Sequence, residues 1–291
     1  MAVNLQTYFA SAQALALALA TGIGGQGCVD NATHPDALAT YVAAAVNPSC
    51  VPNLDGVIAA SELQAALDVP AGYRVSPAGS TRVVDSSGQV DAAGHRVWDW
   101  STKDSGDQLV HVSAAKLADQ WYAAEFAQGQ FVVPFDLAGS TDAIYRQDDK
   151  GLYLLGLASH NPAPPEGKTL LPYAQPVLTL QLPLQVGAKW NAVGKTLAGK
   201  GILHGLPFAS VDTYTISVDG AGRLELPDIT LTQALRVRTL VQVVPVAGIT
   251  TTRRQVSYLF ECLGEVARAA SQNNEPSEDF TTAAEVRRLA L

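Results

Sequence analysis

Asn53, Asp55 and Glu62 stand at the third, fifth and twelfth places of the stretch Val51-Pro-Asn-Leu-Asp-Gly-Val-Ile-Ala-Ala-Ser-Glu62, which overlays a calcium-binding loop. Gly56 takes the sixth place, where such a loop turns sharply, and Ile58 the eighth. The first place, which should carry a carboxylate, is Val51. Two acidic side chains hold a divalent cation poorly, so any metal site here is weak. The stretch reads as a degenerate loop, a turn at Asp55-Gly56 leading into a helix.

Other reactive types are dispersed. His34, His95, His111, His160 and His204 show no zinc spacing, and no CxxC accompanies them. Neither GxSxG nor SxxK occurs; Ala138-Gly-Ser-Thr-Asp142 has a single flanking glycine. Gly194-Lys-Thr196 lacks the first glycine of a phosphate loop. Gly22-Ile-Gly-Gly-Gln-Gly27 has dinucleotide-loop spacing but follows an Ala/Leu run and opens no helix. No cofactor is expected. Asp99, Asp104, Asp107 and Asp148-Asp149 lie in turn-like sequence, where Asp bonds its own backbone. Arg236 and Arg238 share one strand face, with Arg253-Arg254 on the expected hairpin partner. They read as a solvated face paired with Glu261 or Glu265, or as an anion site. Trp98, Trp100, Trp121 and Trp190 read as core.

Three cysteines can be allotted without remainder. Residues 1–29 carry no charged side chain, and Phe9–Ala20 is an Ala/Leu run of the length of a signal-peptide core, too short to span a bilayer. Small residues then lead to Cys28, as in a lipoprotein cleavage box, although Gly25-Gln-Gly27 lacks the usual aliphatic residue. Residues 1–27 are thus expected to be removed and Cys28 to be the lipid attachment point. Cys50 and Cys262 remain for a disulfide in an oxidising compartment.

The elements that must position these residues are mostly strands. The 291-residue chain is 47% hydrophobic, 16% charged and carries a net charge of -8, with 24 Gly and 16 Pro. That composition supports a large core and favours turns and strands. An acidic chain with 7 Lys and 12 Arg is a poor partner for nucleic acid or for anionic lipid surfaces. Helices are expected over Asp36–Val46, from Ala59 to about Leu67, and from a cap at Ser113 to Gly129, where Leu117, Trp121 and Ala124 share a face. Strands are expected at Thr81–Val84, His95–Trp98, Phe131–Phe135, Leu152–Leu157, Val177–Leu184, Thr213–Val218, Gly222–Leu226, Ala234–Val246, Ile249–Leu263 and Gly264–Ala270. Val218-Asp-Gly-Ala-Gly-Arg223 reads as a turn, His160–Pro176 as a proline-rich joint, and Ser271–Asp279 as a surface loop. In the strand around Tyr258, residues Val256, Tyr258, Phe260 and Cys262 alternate with Arg253, Gln255, Ser257 and Glu261; Leu259 breaks the pattern.

The fold class expected is α+β: a mostly antiparallel sheet, as a sandwich or open barrel, with a few short helices and a helical N-terminal segment. The domain reading is a signal peptide over 1–27, a small helical segment over 28–75 and a β-rich domain over 76–291, with a joint near 159–176.

Val97-Trp-Asp-Trp-Ser101, Leu184-Gln-Val-Gly-Ala-Lys-Trp190 and Gly222-Arg-Leu-Glu-Leu-Pro-Asp228 with Leu235-Arg-Val-Arg-Thr239 resemble a loose group of uncharacterised bacterial secreted proteins and lipoproteins. The resemblance covers about Tyr73 to Arg268. It implies an extracytoplasmic, β-rich protein and transfers no activity.

The leading expectation is a non-enzymatic cell-envelope protein, periplasmic and outer-membrane-anchored or secreted, that binds a partner protein or an apolar small molecule through its sheet. It touches a membrane only through a lipid anchor and binds no nucleic acid. Two alternatives stand beside it: a hydrolase using dispersed Asp and His residues, and a structural subunit that retains residues 1–27 as an intersubunit helix.

Overall fold

A computed structural model describes residues 50–136 and 139–291. Alternating sequence puts strands nearly everywhere, and they hydrogen-bond into two principal sheets. The larger has the spatial order Gln89–Val90, Arg96–Asp99, Ser210–Glu225, Thr230–Pro245, Thr251–Phe260, Gly264–Ser271, Thr282–Ala290, Ala71–Val75 and Gln108–Val112. Lys189–Lys195 adds to Ser210–Glu225, and Arg82–Val83 to Thr282–Ala290. All pairs are antiparallel except Arg96–Asp99, which runs parallel to Ser210–Glu225 through Arg223 opposite Val97. The smaller sheet runs Leu206–Pro207, Ile202–Leu203, Leu170–Gln181, Gly151–Ser159, Thr141–Asp148, Phe131–Pro134 and Ala115–Lys116. Neither sheet closes into a barrel. Val57–Ile58 and Leu184–Gln185 make a separate two-stranded ladder.

Apolar side chains fill both faces of the larger sheet. On one face Tyr258 packs its ring 4.9 Å from those of both Trp98 and Trp100, among Leu224, Val256, Val266 and Phe280. On the other, Ile58, Leu182, Leu184, Ile216, Val218, Leu235, Val237 and Leu259 form a second core. The smaller sheet has its own core of Leu117, Tyr122, Phe126, Val132, Ile144 and Leu155.

Several expectations are corrected. The α+β class does not hold: the chain is β-rich, and the described residues hold no α-helix. In the described part of the 28–75 segment there is one 3₁₀ turn, Ala60–Glu62, and the strand Ala71–Val75 sits inside the larger sheet. The helix expected at 36–46 lies outside the described residues. Between Ser113 and Gly129 two 3₁₀ turns, Leu117–Asp119 and Ala123–Glu125, replace a helix. The chain is extended at Gln120, and Ala115 and Lys116 pair with Val132 and Phe131. The i, i+4 spacing there comes from a loop plugging a sheet: the Tyr122 hydroxyl donates to Asp142 at 2.7 Å, and Trp121 Nε1 to the Ser159 carbonyl at 3.0 Å.

The turn expected at 218–223 is likewise absent. Ser210–Glu225 is one strand that absorbs the glycines as two register shifts, at Val218/Gly220 and Gly222/Leu224. Pro172 and Pro176 of the expected joint belong to the strand Leu170–Gln181. The loops at 160–169 and 272–281 fall near where punctuation places them, and no helix among the described residues is long and apolar enough to cross a membrane.

Candidate ligand cavity between the sheets

Cross-strand register sets the floor of a cavity of about 400 Å³ between the two sheets. Side chains alternate along a strand, so every second residue of three adjacent strands points the same way. These are Asp212, Tyr214 and Ile216; Val243, Val241 and Thr239; and Thr251, Arg253 and Gln255. The register places Tyr214 opposite Val241, and Val241 opposite Arg253. The floor is thus a strip of valines with a polar margin on each side. Phe131, Val133, Phe135, Leu152, Leu154 and Tyr145 of the smaller sheet line the opposite wall. At one end the second core closes the gap around Ile216 and Leu259.

The first margin is Asp212. It is buried, and its Oδ2 accepts from the Tyr173 hydroxyl at 2.6 Å, which itself lies 3.1 Å from the Tyr214 hydroxyl. Its Oδ1 is buried with no hydrogen-bond partner. Burial raises the Asp212 carboxyl above its ordinary range, against the lowering effect of Tyr173. Burial and the same carboxylate drive Tyr173 well above its ordinary value.

The second margin is a charged wall on three adjacent strands. Arg268 Nε and Nη2 reach Glu265 Oε2 at 3.0 and 2.9 Å, and Ser257 Oγ donates to that oxygen at 2.8 Å. Arg287 Nη2 reaches Glu285 Oε1 at 2.7 Å. Gln255 Nε2 donates to Ser257 Oγ at 2.9 Å, and Arg253 Nε to the Ser271 carbonyl at 3.3 Å. Burial works against the charge of Arg268, but Glu265 and Glu285 overcome it and hold its pKa above the ordinary value. Arg253 goes the other way: burial lowers it, and Arg268 and Arg287 add to the effect against Glu285. Tyr73, whose hydroxyl donates to the Glu265 carbonyl at 2.7 Å, is pushed up to about 12 by burial and then by Glu265.

The residues singled out in the sequence fall elsewhere. Asn53 Oδ1 accepts from the Asp55 amide at 2.9 Å, Asp55 Oδ1 from the Val57 amide at 2.8 Å, and Glu62 Oε2 from the Ala59 amide at 2.8 Å. These oxygens hold a loop in shape, and among the described residues no group of three or more His, Cys, Asp or Glu is placed to hold a metal ion. Cys28 and the 1–27 leader lie outside the described residues. Cys50 and Cys262 are joined by a disulfide, with Cα atoms 5.5 Å apart. The loop they anchor is pinned further by the Leu54 amide on Glu261 Oε2 at 2.7 Å and the Cys262 amide on the Glu62 carbonyl at 2.9 Å.

Arg236 and Arg238 are neither solvated nor paired with Glu261 or Glu265. Both are buried on the sheet's other face and converge on Asp219. Trp98 and Trp100 are core residues, while Trp121 and Trp190 are half-buried at its margins. Of the dispersed Asp and His residues, Asp142 and His160 do meet, Nδ1 to Oδ2 at 2.9 Å, with Tyr122 on the same oxygen. The nearby Ser140 hydroxyl donates to Asp136 and the Ser159 hydroxyl to the Asn161 carbonyl, so neither is set against the imidazole as a nucleophile.

Sequence reading missed the cavity because Arg253, Gln255 and Ser257 look like a wetted strand face. The one signal was Leu259, an apolar residue on that polar face, where the face passes from the cavity into the second core. No family model matches the chain, and comparisons with curated proteins and with solved structures return no match.

Proposed function

We propose that this is a non-enzymatic extracytoplasmic protein that binds an apolar small molecule in the cavity between its sheets. The observation that carries the proposal is the strip Thr239, Val241 and Val243, which faces open space rather than the side chains of the smaller sheet. Protein interiors are close-packed, and voids larger than a water molecule are few in a domain. A cavity of about 400 Å³, mostly apolar with a few polar groups at its margins, has the size and character of a small-molecule site. The extracytoplasmic part rests on the Cys50–Cys262 disulfide, a bond that persists in oxidising compartments, and on the leader-like sequence of residues 1–28.

The test is titration of the purified chain with Nile red, an uncharged apolar dye, followed by displacement with dodecanol. Saturable binding at one site is expected, abolished by Val241→Trp, which fills the strip with an indole. Failure of the native chain to bind the dye or the alcohol refutes the reading. Mass spectrometry of the intact protein from its native host tests the envelope assignment. Loss of residues 1–27 with an acylated Cys28 is expected, and a retained, unmodified N-terminus refutes anchoring.

A further inference from the structure

We propose that the cavity's ligand is an uncharged long-chain alcohol whose hydroxyl donates a hydrogen bond to Asp212. This rests on the reading that the cavity binds an apolar molecule, and it adds the head group and the direction in which the molecule lies.

The protons around Asp212 carry the inference. Asp212, Tyr173 and Tyr214 all line the cavity, and Asp212 is only 7% exposed. The Tyr173 hydroxyl has a single proton, which it donates to Asp212 Oδ2 at 2.6 Å. In the 3.1 Å contact between the two phenols the donor must therefore be Tyr214. Both phenolic protons are then engaged inside the cluster. The Ser210 hydroxyl, which also acts on Asp212, lies 3.3 Å from Thr196 Oγ1. Asp212 Oδ1 is left buried without a hydrogen-bond partner. Leaving an acceptor so inside a protein is costly, and the group this one lacks is a donor.

The charges of the lining indicate an uncharged donor. Arg253, Arg268 and Arg287 lie on the far margin, two strands or more from Asp212. Asp212, Glu265 and Glu285, the last being the partner of Arg287, equal them in number. A ligand bringing a charge of either sign would upset that balance in a space shielded from water. A hydroxyl supplies the proton and no charge, and a carboxylate acceptor makes its hydrogen bond one of the stronger kind.

Along its strand Asp212 lies four residues, about 13 Å, from Ile216, where the second core closes the cavity. The register sets Val243, Val241 and Thr239 beside Asp212, Tyr214 and Ile216 in turn. The alkyl chain thus runs from Asp212 along this strip toward Leu259.

The experiment compares dodecanol, dodecyl methyl ether and dodecylammonium as displacers of Nile red from the full chain. The ether keeps the alkyl chain and the oxygen but has no proton to give. Dodecanol is expected to bind about tenfold more tightly than the ether, the low end for a hydrogen bond to a charged group, and more tightly than dodecylammonium. Asp212→Asn, which can present an amide N–H where Oδ1 stood, is expected to bring the ratio of dodecanol to ether close to unity. Ether binding as tightly as dodecanol overturns the head-group assignment, and dodecylammonium binding more tightly overturns its neutrality; apolar binding stands in both cases. No displacement by any of the three refutes the underlying reading instead. If Asp212→Asn fails to fold, the three-ligand series on the native chain still decides the matter.

Discussion

Asp219 holds Arg236 with both of its oxygens: Nε donates to Oδ1 at 2.7 Å and Nη2 to Oδ2 at 2.9 Å. The geometry depends on the register shift at Val218/Gly220, which turns Asp219 toward the next strand. Arg238 Nε reaches the same Oδ2 at 2.6 Å, and its other nitrogens reach Asp279 and the Glu278 carbonyl. One carboxylate in a bulge thus pairs with two buried guanidiniums, Asp279 supplying the second negative charge, and the Trp98 ring lies 5.3 Å from Arg236 Cζ. Asp219→Asn leaves both cations without that charge. The expected loss is about 3 kcal/mol, the low end for breaking a buried pair because the Asp219 side chain is still 28% exposed. Urea denaturation at neutral pH reads it, and a loss below about 1 kcal/mol contradicts the role.

Acid should act through the same group. Burial pushes the Asp219 carboxyl up, but the hydrogen bonds and charges of Arg236 and Arg238 outweigh it and leave its pKa below the ordinary 3.8. Glu285, though buried, is also held low, by Arg287 and Arg268. A carboxyl whose folded pKa is depressed contributes stability that is present above its unfolded pKa and lost as pH falls through the folded one. Stability should therefore hold down to about pH 4 and drop below it, and Asp219→Asn should flatten that drop. Denaturation midpoints across the acid range measure both slopes.

Asp212 should behave in the opposite sense. Burial raises its folded pKa above 3.8, so its contribution is complete below that value and is lost as pH rises through the folded pKa. Asn mimics the protonated acid and still offers an oxygen to the Tyr173 hydroxyl. Asp212→Asn is expected to melt no lower than the native chain at pH 7, with any advantage vanishing below about pH 3.8. A variant clearly less stable at pH 7 would show that the ionised carboxylate is needed.

How much of this was legible follows from what alternation reports. It locates strands such as Thr251–Phe260 and Gly264–Ser271 because one face must be apolar to reach a core. It does not report what covers the other face, and Arg253, Gln255 and Ser257 look alike in water and in a cavity. Thr282–Ala290 passed unseen because Glu285, Arg287 and Arg288 interrupt its apolar residues, charges that are tolerated because Arg287 pairs with Glu285 and Arg288 with Asp107. Asp219 was read as part of a turn since Gly220 and Gly222 signal turns and bulges alike. The Cys50–Cys262 pair was legible by counting, with Cys28 set aside as the expected lipid attachment point.

Gly156 is a backbone necessity in the smaller sheet. It sits at φ 152°, at a register shift shared by both neighbouring strands. A Cβ there would stand 2.2 Å from the Leu171 carbonyl oxygen and 2.8 Å from Phe126. Gly156→Ala is expected to cost about 3 kcal/mol, through the strained conformation and the displaced strand together. Because Leu154 and Leu171 flank the shift and line the cavity, the same variant should also weaken Nile red binding. Thermal melting and dye titration on one preparation test both effects, and an alanine tolerated without either would contradict the register described.

Cys50 and Cys262 are separated by 212 positions, so their disulfide closes nearly the whole described chain into one loop. The chain-entropy model assigns a loop of that size about 5 kcal/mol, an upper value because denatured-state structure reduces it. Cys262 lies in the turn after Phe260 at φ 66°, beside Glu261 and Leu263, and its amide is already bonded to the Glu62 carbonyl. Reduction should therefore free the 50–63 loop first, leaving the sheets paired by their own ladders. Because Leu63 and Ala65 line the cavity, loosening that loop should also speed dye release. Reduced protein is expected to show a lower urea midpoint and new protease cleavage within 50–63, with strand content retained. A non-reducing peptide map with both thiols free in exported protein, or identical midpoints with and without reductant, would contradict this.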